Sequence, residues 1–405
     1  MSLVSFLREN ARWLAAGALL SFLSSFGQTF FISIFAGEIR AEFGLSHGQW
    51  GGIYTLGTSV SAAVMVWAGG LTDRYRSVSL GTIVLLALAL ACLFMASNPA
   101  VWLLPAVIFA LRFTGQGMVS HIAVVSMSRW FIATRGRALS VAGLGFAGAE
   151  ALLPLIFVTL MIFVPWRGLW IMSAGIVLLG IVALRILLRE ERTPQSHAES
   201  SVSLGMQARH WTRGETLRHW LFWFMVPALL GPAAFNTAFF FHQVHFATLK
   251  GWSHLELVAL FPLYTVLAVA AMVGSGWMLD KFGTPRVIPW FQLPIVVAFV
   301  LFSQATTLPI AAIGMVFLAV TTGANTTLPN AFWAEFYGTR HLGAIKAMAA
   351  AVMVLGSALG PGITGVLIDK GIGLETQYLG VAVYFLFATA MMVIGVGWAR
   401  HLLTV

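Results

Sequence analysis

The chain has 405 residues, of which 59% are hydrophobic and only 9% are charged. Soluble domains carry about 25% charged residues, so this composition excludes a water-soluble globular protein and indicates lipid as the surrounding solvent. The net charge of +9 does not indicate nucleic-acid binding, because the basic residues lie in short connectors between apolar runs, where membrane topology is encoded.

Twelve apolar segments are long enough to cross a bilayer, which takes about 20 residues. The first, from Trp13 to Phe35, is too long for the apolar region of a signal peptide and precedes no cleavage site, so we expect it to be a membrane helix of the mature protein. The predicted spans are residues 12–36, 49–71, 79–97, 100–127, 138–163, 168–187, 219–242, 255–279, 286–304, 308–331, 344–368 and 378–400. An even number of spans places both termini on the same side of the membrane.

The distribution of basic residues orients these spans, because cytoplasmic connectors are enriched in Lys and Arg. With both termini in the cytoplasm, 18 of the 23 basic residues face inward, and Arg112 lies within a span. The residues that face outward are Arg40, Arg167, Lys250 and Lys370. This bias predicts a multi-pass protein of the cell inner (plasma) membrane with both termini cytoplasmic.

A polar and charged connector separates the first six predicted spans from the last six. It includes Glu190, Arg192 and Arg213. We therefore expect an all-α membrane protein with three parts. These are an N-terminal six-helix bundle over residues 1–187, a cytoplasmic central loop over 188–218, and a C-terminal six-helix bundle over 219–405.

The two bundles carry matching segments, which predicts an internal repeat. Residues 69–76, Gly-Gly-Leu-Thr-Asp-Arg-Tyr-Arg, align without a gap with residues 276–283, Gly-Trp-Met-Leu-Asp-Lys-Phe-Gly, at an offset of 207. The same offset pairs Pro154 with Pro361, and an offset of 208 pairs Gln28 with Asn236. Matches in three pairs of helices predict two homologous halves.

The Gly-xxx-Asp-Arg/Lys motif occurs in both the 2–3 and the 8–9 connector. Together with six plus six helices, it resembles the major facilitator superfamily over the whole chain. Residues 112–117, Arg-Phe-Thr-Gly-Gln-Gly, resemble that superfamily's Arg-plus-glycine motif in helix 4. Residues 130–138 are similar to the 4–5 connector of its organic-anion branches, such as the oxalate–formate antiporters and the monocarboxylate transporters.

This resemblance implies the major facilitator fold, in which two homologous six-helix bundles provide alternating access and helices 1, 4, 7 and 10 line the substrate cavity. It also implies a gating latch at the cytoplasmic ends of helices 2 and 8, which holds the two halves together in the outward-facing state. The residues of that latch would be Asp73, Arg74, Asp280 and Lys281.

Two charged residues, Arg112 and Glu150, lie more than two turns from the ends of their predicted spans. A charge at the centre of a membrane helix costs about 2.5–3.5 kcal/mol on insertion scales, and such residues are usually functional. A guanidinium can fork two hydrogen bonds onto a carboxylate, so we expect Arg112 to bind an anionic substrate and Glu150 to carry a coupled proton. The alternative is a buried ion pair between them that only fixes helices 4 and 5.

Neutral polar residues accompany this charge. Gln116 is four residues after Arg112 and shares its face of helix 4, whereas His121, nine residues on, should point about half a turn away. Each polar residue has interhelical hydrogen bonding as an alternative role. The predicted substrate site comprises Arg112, Gln116, Gln28, Asn236 and Asn325.

The sequence therefore predicts a secondary active transporter of a small organic anion, in particular a carboxylate, coupled to protons or to anion exchange. Two alternatives stay open: an exporter of drugs or amphipathic cations, and a membrane receptor or sensor that binds without translocation. The sequence contains no Gly-rich phosphate loop and no His/Cys cluster with metal spacing, so we expect neither enzymatic activity nor a cofactor. We expect a monomer whose partners are the substrate and the lipid bilayer.

Reporter fusions test the predicted orientation. A fusion after Val405 should report the cytoplasm, and an insertion between Lys250 and Trp252 should report the periplasm, because the basic residues favour that topology. Alkaline phosphatase, active only in the periplasm, and green fluorescent protein, fluorescent only in the cytoplasm, provide the paired measurement. Phosphatase activity at the C-terminal fusion would contradict the even number of spans.

Overall fold

The computed structural model describes residues 3–131, 134–190 and 204–403, and the regular secondary structure within these ranges is helical. Eleven of the described helices are long and apolar enough to span a membrane, and a bent pair makes a twelfth if it is counted as one span. The spans are α1 (Ala11–Gly27 and Thr29–Phe43), α2 (His47–Ala68), α3 (Ser77–Ser97), α4 (Val101–Trp130), α5 (Arg135–Leu160), α6 (Trp166–Leu187), α7 (Trp220–Phe241), α8 (His254–Phe282), α9 (Thr284–Gln304), α10 (Leu308–Tyr337), α11 (Leu342–Asp369) and α12 (Leu374–Leu402). This architecture agrees with the predicted twelve-helix, all-α membrane protein.

The first span, α1, is interrupted near its centre. The backbone of Gln28 is extended, with φ −86° and ψ 154°, and it separates the two helical parts of α1, which differ in direction by 47°. At this point Gly27 crosses Gly115 of α4 so closely that a Cβ on either glycine would collide with backbone atoms of the other helix. The two glycines therefore allow α1 and α4 to cross in direct backbone contact.

The chain divides into two compact units, Met1–Glu199 with α1–α6 and Ser200–Val405 with α7–α12. In the first unit α5 packs along α1, α4 packs on α2, and α6 packs on α3. In the second unit α11 packs along α7, α10 packs on α8, and α12 packs on α9. Each unit therefore uses the same three helix pairings, as an internal repeat requires.

The last part of the predicted central loop packs onto the second unit. Trp211 donates its backbone N–H to the carbonyl of Tyr337 (3.1 Å) and its indole N–H to the carbonyl of Met206 (3.1 Å). Both Trp211 and Met206 are buried, and the short helix Arg213–Arg218 follows them. Residues 204–218 are thus a packed segment of the second unit, while residues 191–203 of the predicted loop lie outside the described residues.

A proline in α7 leaves one carbonyl that needs a partner from another helix. Pro232 has no N–H, so it cannot donate to the carbonyl of Ala228 four residues earlier. The side chain of Gln292, which is fully buried in α9, donates from Nε2 to that carbonyl at 2.6 Å. This hydrogen bond replaces the missing helical one and ties α7 to α9.

A double-mutant cycle tests this replacement. Gln292→Leu should lower the free energy of unfolding by about 1–3 kcal/mol, because the buried carbonyl loses its donor. In the background of Pro232→Ala the loss should be smaller, since the new N–H at position 232 can bond to Ala228. Thermal unfolding of the purified protein measures the loss in each background. The matched control is Gln304→Leu, at an exposed position of the same helix. Equal losses in the two backgrounds would contradict the assignment.

Candidate functional site

Arg112 lies near the middle of α4, where an eight-residue π-helix runs from Arg112 to Val119. Its side chain is among the largest that are fully buried, with 2% of its surface exposed. π-Helical turns are rare and occur frequently at functional sites. The sequence-predicted intramembrane arginine therefore coincides with the main irregularity of its helix.

The guanidinium of Arg112 is held by neutral groups of the first unit. Its Nη1 donates to the carbonyl of Gly27 (3.2 Å) and to Oγ1 of Thr29 (3.2 Å), and its Cζ lies 5.4 Å from the centre of the Tyr54 ring. Thr29 and Tyr54 also share a hydrogen bond of 2.5 Å between their hydroxyls. The buried Nε of Arg112 has no hydrogen-bond partner among the described residues.

The break in α1 explains why Gly27 accepts from Arg112. In a continuous helix the N–H of Phe31 would donate to the carbonyl of Gly27. In this structure the N–H of Phe31 donates to the carbonyl of Gln28 instead. A carbonyl released within the membrane must find another donor, and Arg112 supplies it.

The charge on Arg112 is not neutralised by an ion pair among the described residues. Burial of a charge without a counter-charge is unfavourable. The predicted partner Glu150 lies half-buried in α5, and the hydrogen bonds of Arg112 go to α1 rather than to it. The arrangement leaves a guanidinium that can accept an anion as its counter-charge.

Two predicted neighbours of Arg112 lie at the same crossing. Gln28 is the extended residue between Gly27 and Thr29, and Gln116 is in the same π-helix as Arg112. Both side chains are half-buried. The first unit therefore brings together Arg112, Gln28 and Gln116.

The side chain of His121 points in a different direction from the one predicted for a regular α-helix. Its Nε2 lies 3.2 Å from the carbonyl of Gly69, at the end of α2, while Arg112 faces Tyr54 of the same helix. The two residues thus both face α2 instead of pointing half a turn apart. The wider turns of the π-helix between them account for the difference, and the two side chains still belong to separate sites.

The predicted residues of the second unit lie on α7 and α10. Asn236 donates from Nδ2 to Oγ1 of Thr322 at 3.3 Å, and its buried Oδ1 has no partner among the described residues. Asn325 is half-buried and lies three residues after Thr322 on α10. The structure therefore places a second group of neutral polar side chains within this unit.

The predicted latch residues lie at the ends of α2 and α8. Arg74, Asp280 and Lys281 are exposed, and Nζ of Lys281 lies 4.8 Å from the centre of the Trp277 ring. The side chain of Asp73 lies outside the described residues, although its backbone belongs to the short helix Leu71–Arg74.

Helix α4 fastens the loop that contains Asp73. Arg129 donates from Nη1 to the carbonyl of Thr72 at 2.6 Å, and His121 contacts the carbonyl of Gly69. Cations commonly bind the unsatisfied carbonyls at a helix C-terminus. Arg129 was not predicted as a functional residue, because a basic residue near the end of a span also fits ordinary membrane anchoring.

Solved structures of known transporters have the same fold. A bacterial homologue of the human lysosomal transporter Spinster, in an inward-facing and unoccupied conformation, matches with a TM-score of 0.70 and 16% identity over 97% of this chain and 98% of its own. The nucleoside transporter NupG matches with a TM-score of 0.68 and 14% identity over 94% of this chain and 97% of its own. At these identities the likeness establishes the fold.

The family model of the Major Facilitator Superfamily matches residues 17–361. No curated protein matches the sequence. The family match and the transporter folds of the similar structures agree with the predicted twelve-helix architecture and indicate a transporter rather than an enzyme. Since the model covers most of the sequence, the chain belongs to the major facilitator superfamily.

Proposed function

We propose that this transporter moves a small organic anion, in particular a carboxylate, across the inner membrane by alternating access. The observation that carries the proposal is the guanidinium of Arg112, which is buried and, among the described residues, donates only to neutral oxygens and has no partner for its Nε. The protein works as a monomer with both termini in the cytoplasm, and transport is coupled to protons or to anion exchange.

The chemistry of the guanidinium favours a carboxylate. Its planar fork matches the two oxygens of a carboxylate, and the low-dielectric surroundings strengthen their attraction. Gln28 and Gln116 lie at the same crossing and provide neutral donors and acceptors for the rest of the substrate. Glu150 supplies the coupled proton, because its half-buried carboxyl lies within a membrane helix and can be neutralised there.

A neutral polar solute, such as a nucleoside, is the second candidate. The observation in its favour is the buried Oδ1 of Asn236, which has no partner in the described part of the chain and could accept a hydrogen bond from a substrate. One of the similar structures is a nucleoside transporter. This substrate would use Asn236 and Asn325 and would leave Arg112 with the role of holding the break in α1.

Ligand-induced stabilisation distinguishes these substrates. Short mono- and dicarboxylates should raise the unfolding temperature of the purified wild-type protein, because a ligand that binds the folded state stabilises it by mass action. Arg112→Lys keeps a charge and a donor for Gly27 but loses the fork, so it should weaken carboxylate binding by about tenfold or more. Arg129→Lys, in the same helix, is the matched control and should bind normally.

A variant of Glu150 separates substrate binding, measured by thermal stabilisation, from proton coupling, measured by uptake. Glu150→Gln should keep carboxylate binding and abolish the pH dependence of uptake into vesicles. If the double mutant Arg112→Leu with Glu150→Leu recovers both stability and transport, the two residues form only a structural pair. That result would exclude the anion site and leave the neutral solute as the substrate.

The loop residues Asp73, Arg74, Asp280 and Lys281 form the proposed gating latch. Asp73→Asn should slow transport while leaving ligand affinity unchanged, because position 73 lies at the end of α2 and far along the helix from Tyr54, which contacts Arg112. Uptake into proteoliposomes and thermal shift measure the two properties separately. Glu335→Gln, an exposed carboxylate at the end of α10, is the control. Loss of binding with normal conformational exchange would place Asp73 in the substrate site instead.

A further inference from the structure

An ion pair fastens the end of α1 to the beginning of α6. Nη2 of Arg167 lies 2.6 Å from Oε1 of Glu42, and the indole N–H of Trp166 donates to Oε2 of Glu42 at 2.8 Å. Glu42 belongs to the last turn of α1, and Trp166 and Arg167 are the first two residues of α6. The second part of α1, beyond the break at Gln28, is therefore held at its far end.

The same arginine also binds the end of α3. Arg167 donates from Nη1 to the carbonyl of Ala96 and from Nη2 to the carbonyl of Asn98, both at 2.7 Å. The carbonyls at the C-terminal end of a helix accept no hydrogen bond from within that helix, so they need donors from elsewhere. One guanidinium thus joins the ends of three helices of the first unit: α1, α3 and α6.

The second unit has an ion pair in the corresponding place. Lys250, which follows the helix Gln243–Leu249 after α7, pairs with Glu375 at the beginning of α12. Nζ of Lys250 also donates to the carbonyl of Ser303, at the end of α9, at 2.9 Å. The side chain of Lys250 is only 6% exposed. One cation therefore again joins three helix ends of its unit: the end of Gln243–Leu249, the helix that follows α7, the end of α9 and the beginning of α12.

The two ion pairs occupy the same positions of the repeat with their charges exchanged. An offset of 208 places Glu42 on Lys250 and Arg167 on Glu375, and an offset of 207 places Ala96 on Ser303. Of the two members of each ion pair, only the cation has N–H groups that can donate to the carbonyls at the end of the third helix, and it follows the first helix in one unit and begins the sixth helix in the other. In each unit one cation binds the end of the third helix, and its acidic partner occupies the other position of the pair.

We propose that these four residues form a helix-end clamp whose function is independent of which helix carries the cation. In each unit the clamp positions the end of the first helix against the third and sixth helices. In the first unit it thereby positions the segment Thr29–Phe43, which contains the Thr29 hydroxyl that binds Arg112. This role goes beyond the proposed function and does not depend on the identity of the substrate.

Cys92 provides a natural probe of the clamp in the first unit. It is the only cysteine of the chain, it is fully buried, and it lies in α3 one turn before Ala96. Its rate of modification by N-ethylmaleimide in the purified protein reports opening near the end of α3. Arg167→Glu and Glu42→Lys, each alone, should raise this rate by about tenfold, because each breaks a charged hydrogen bond and opposes like charges.

Placing the clamp residues of the second unit at the corresponding positions of the first should reverse the rise in Cys92 labelling. The triple variant Glu42→Lys, Trp166→Leu, Arg167→Glu reproduces Lys250, Leu374 and Glu375. The lysine at position 42 should then reach the carbonyl of Ala96 as Lys250 reaches that of Ser303. We expect its labelling rate to return to within about threefold of the wild type.

If a charge reversal prevents folding, neutral substitutions in the first unit and a charge reversal in the second unit test the same proposal. Arg167→Gln should raise the labelling rate more than Glu42→Gln, because Arg167 also binds two backbone carbonyls. Glu375→Lys breaks only the clamp of the second unit and should leave Cys92 labelling unchanged. A triple variant that labels as fast as the worse single variant, or single variants that label like the wild type, would overturn the proposal.

Discussion

Backbone carbonyls released at irregular points of membrane helices need donors from elsewhere, because lipid offers none. Arg112 donates to Gly27, where α1 is broken, and Gln292 donates to Ala228, where Pro232 interrupts the bonding of α7. Each donor comes from a different helix of the same unit. An irregularity in one helix thus becomes a cross-link between two helices, and the candidate substrate site is built around the cross-link made by Arg112.

Arginines fix α1 along its whole length. At its beginning, Arg12 pairs with Glu190 beyond the end of α6 at 2.6 Å, and this hydrogen bond lowers the pKa of the Glu190 carboxyl. At its far end, Arg167 pairs with Glu42. Arg112 holds the centre, where the helix is broken. The two parts of α1, on either side of Gln28, are therefore anchored separately.

The sequence was sufficient to predict the number of spans, the internal repeat and the intramembrane arginine. Hydropathy, residue spacing and a charge within an apolar run are all properties of the sequence itself. It was insufficient for the break at Gln28, since no proline marks it and it lies where α1 crosses Gly115 of a helix that is distant in the sequence. The pairs Glu42–Arg167 and Lys250–Glu375 had a signal in the sequence. The repeat offset aligns one pair with the other. The aligned residues have opposite charges, so a search for identical residues does not find them.

The π-helix in α4 sets the rotational phase between the two ends of that helix. At its first residue, Arg112 faces Tyr54 and the break in α1, and after it, His121 and Arg129 face the loop at the end of α2. An ordinary α-helix of the same length would rotate one of these groups away from α2. A single-residue deletion within residues 113–119 would remove the extra residue that the wide turns accommodate. The half of α4 that begins with Arg112 and its loop-facing half therefore both face α2 because π-helical turns lie between Arg112 and His121.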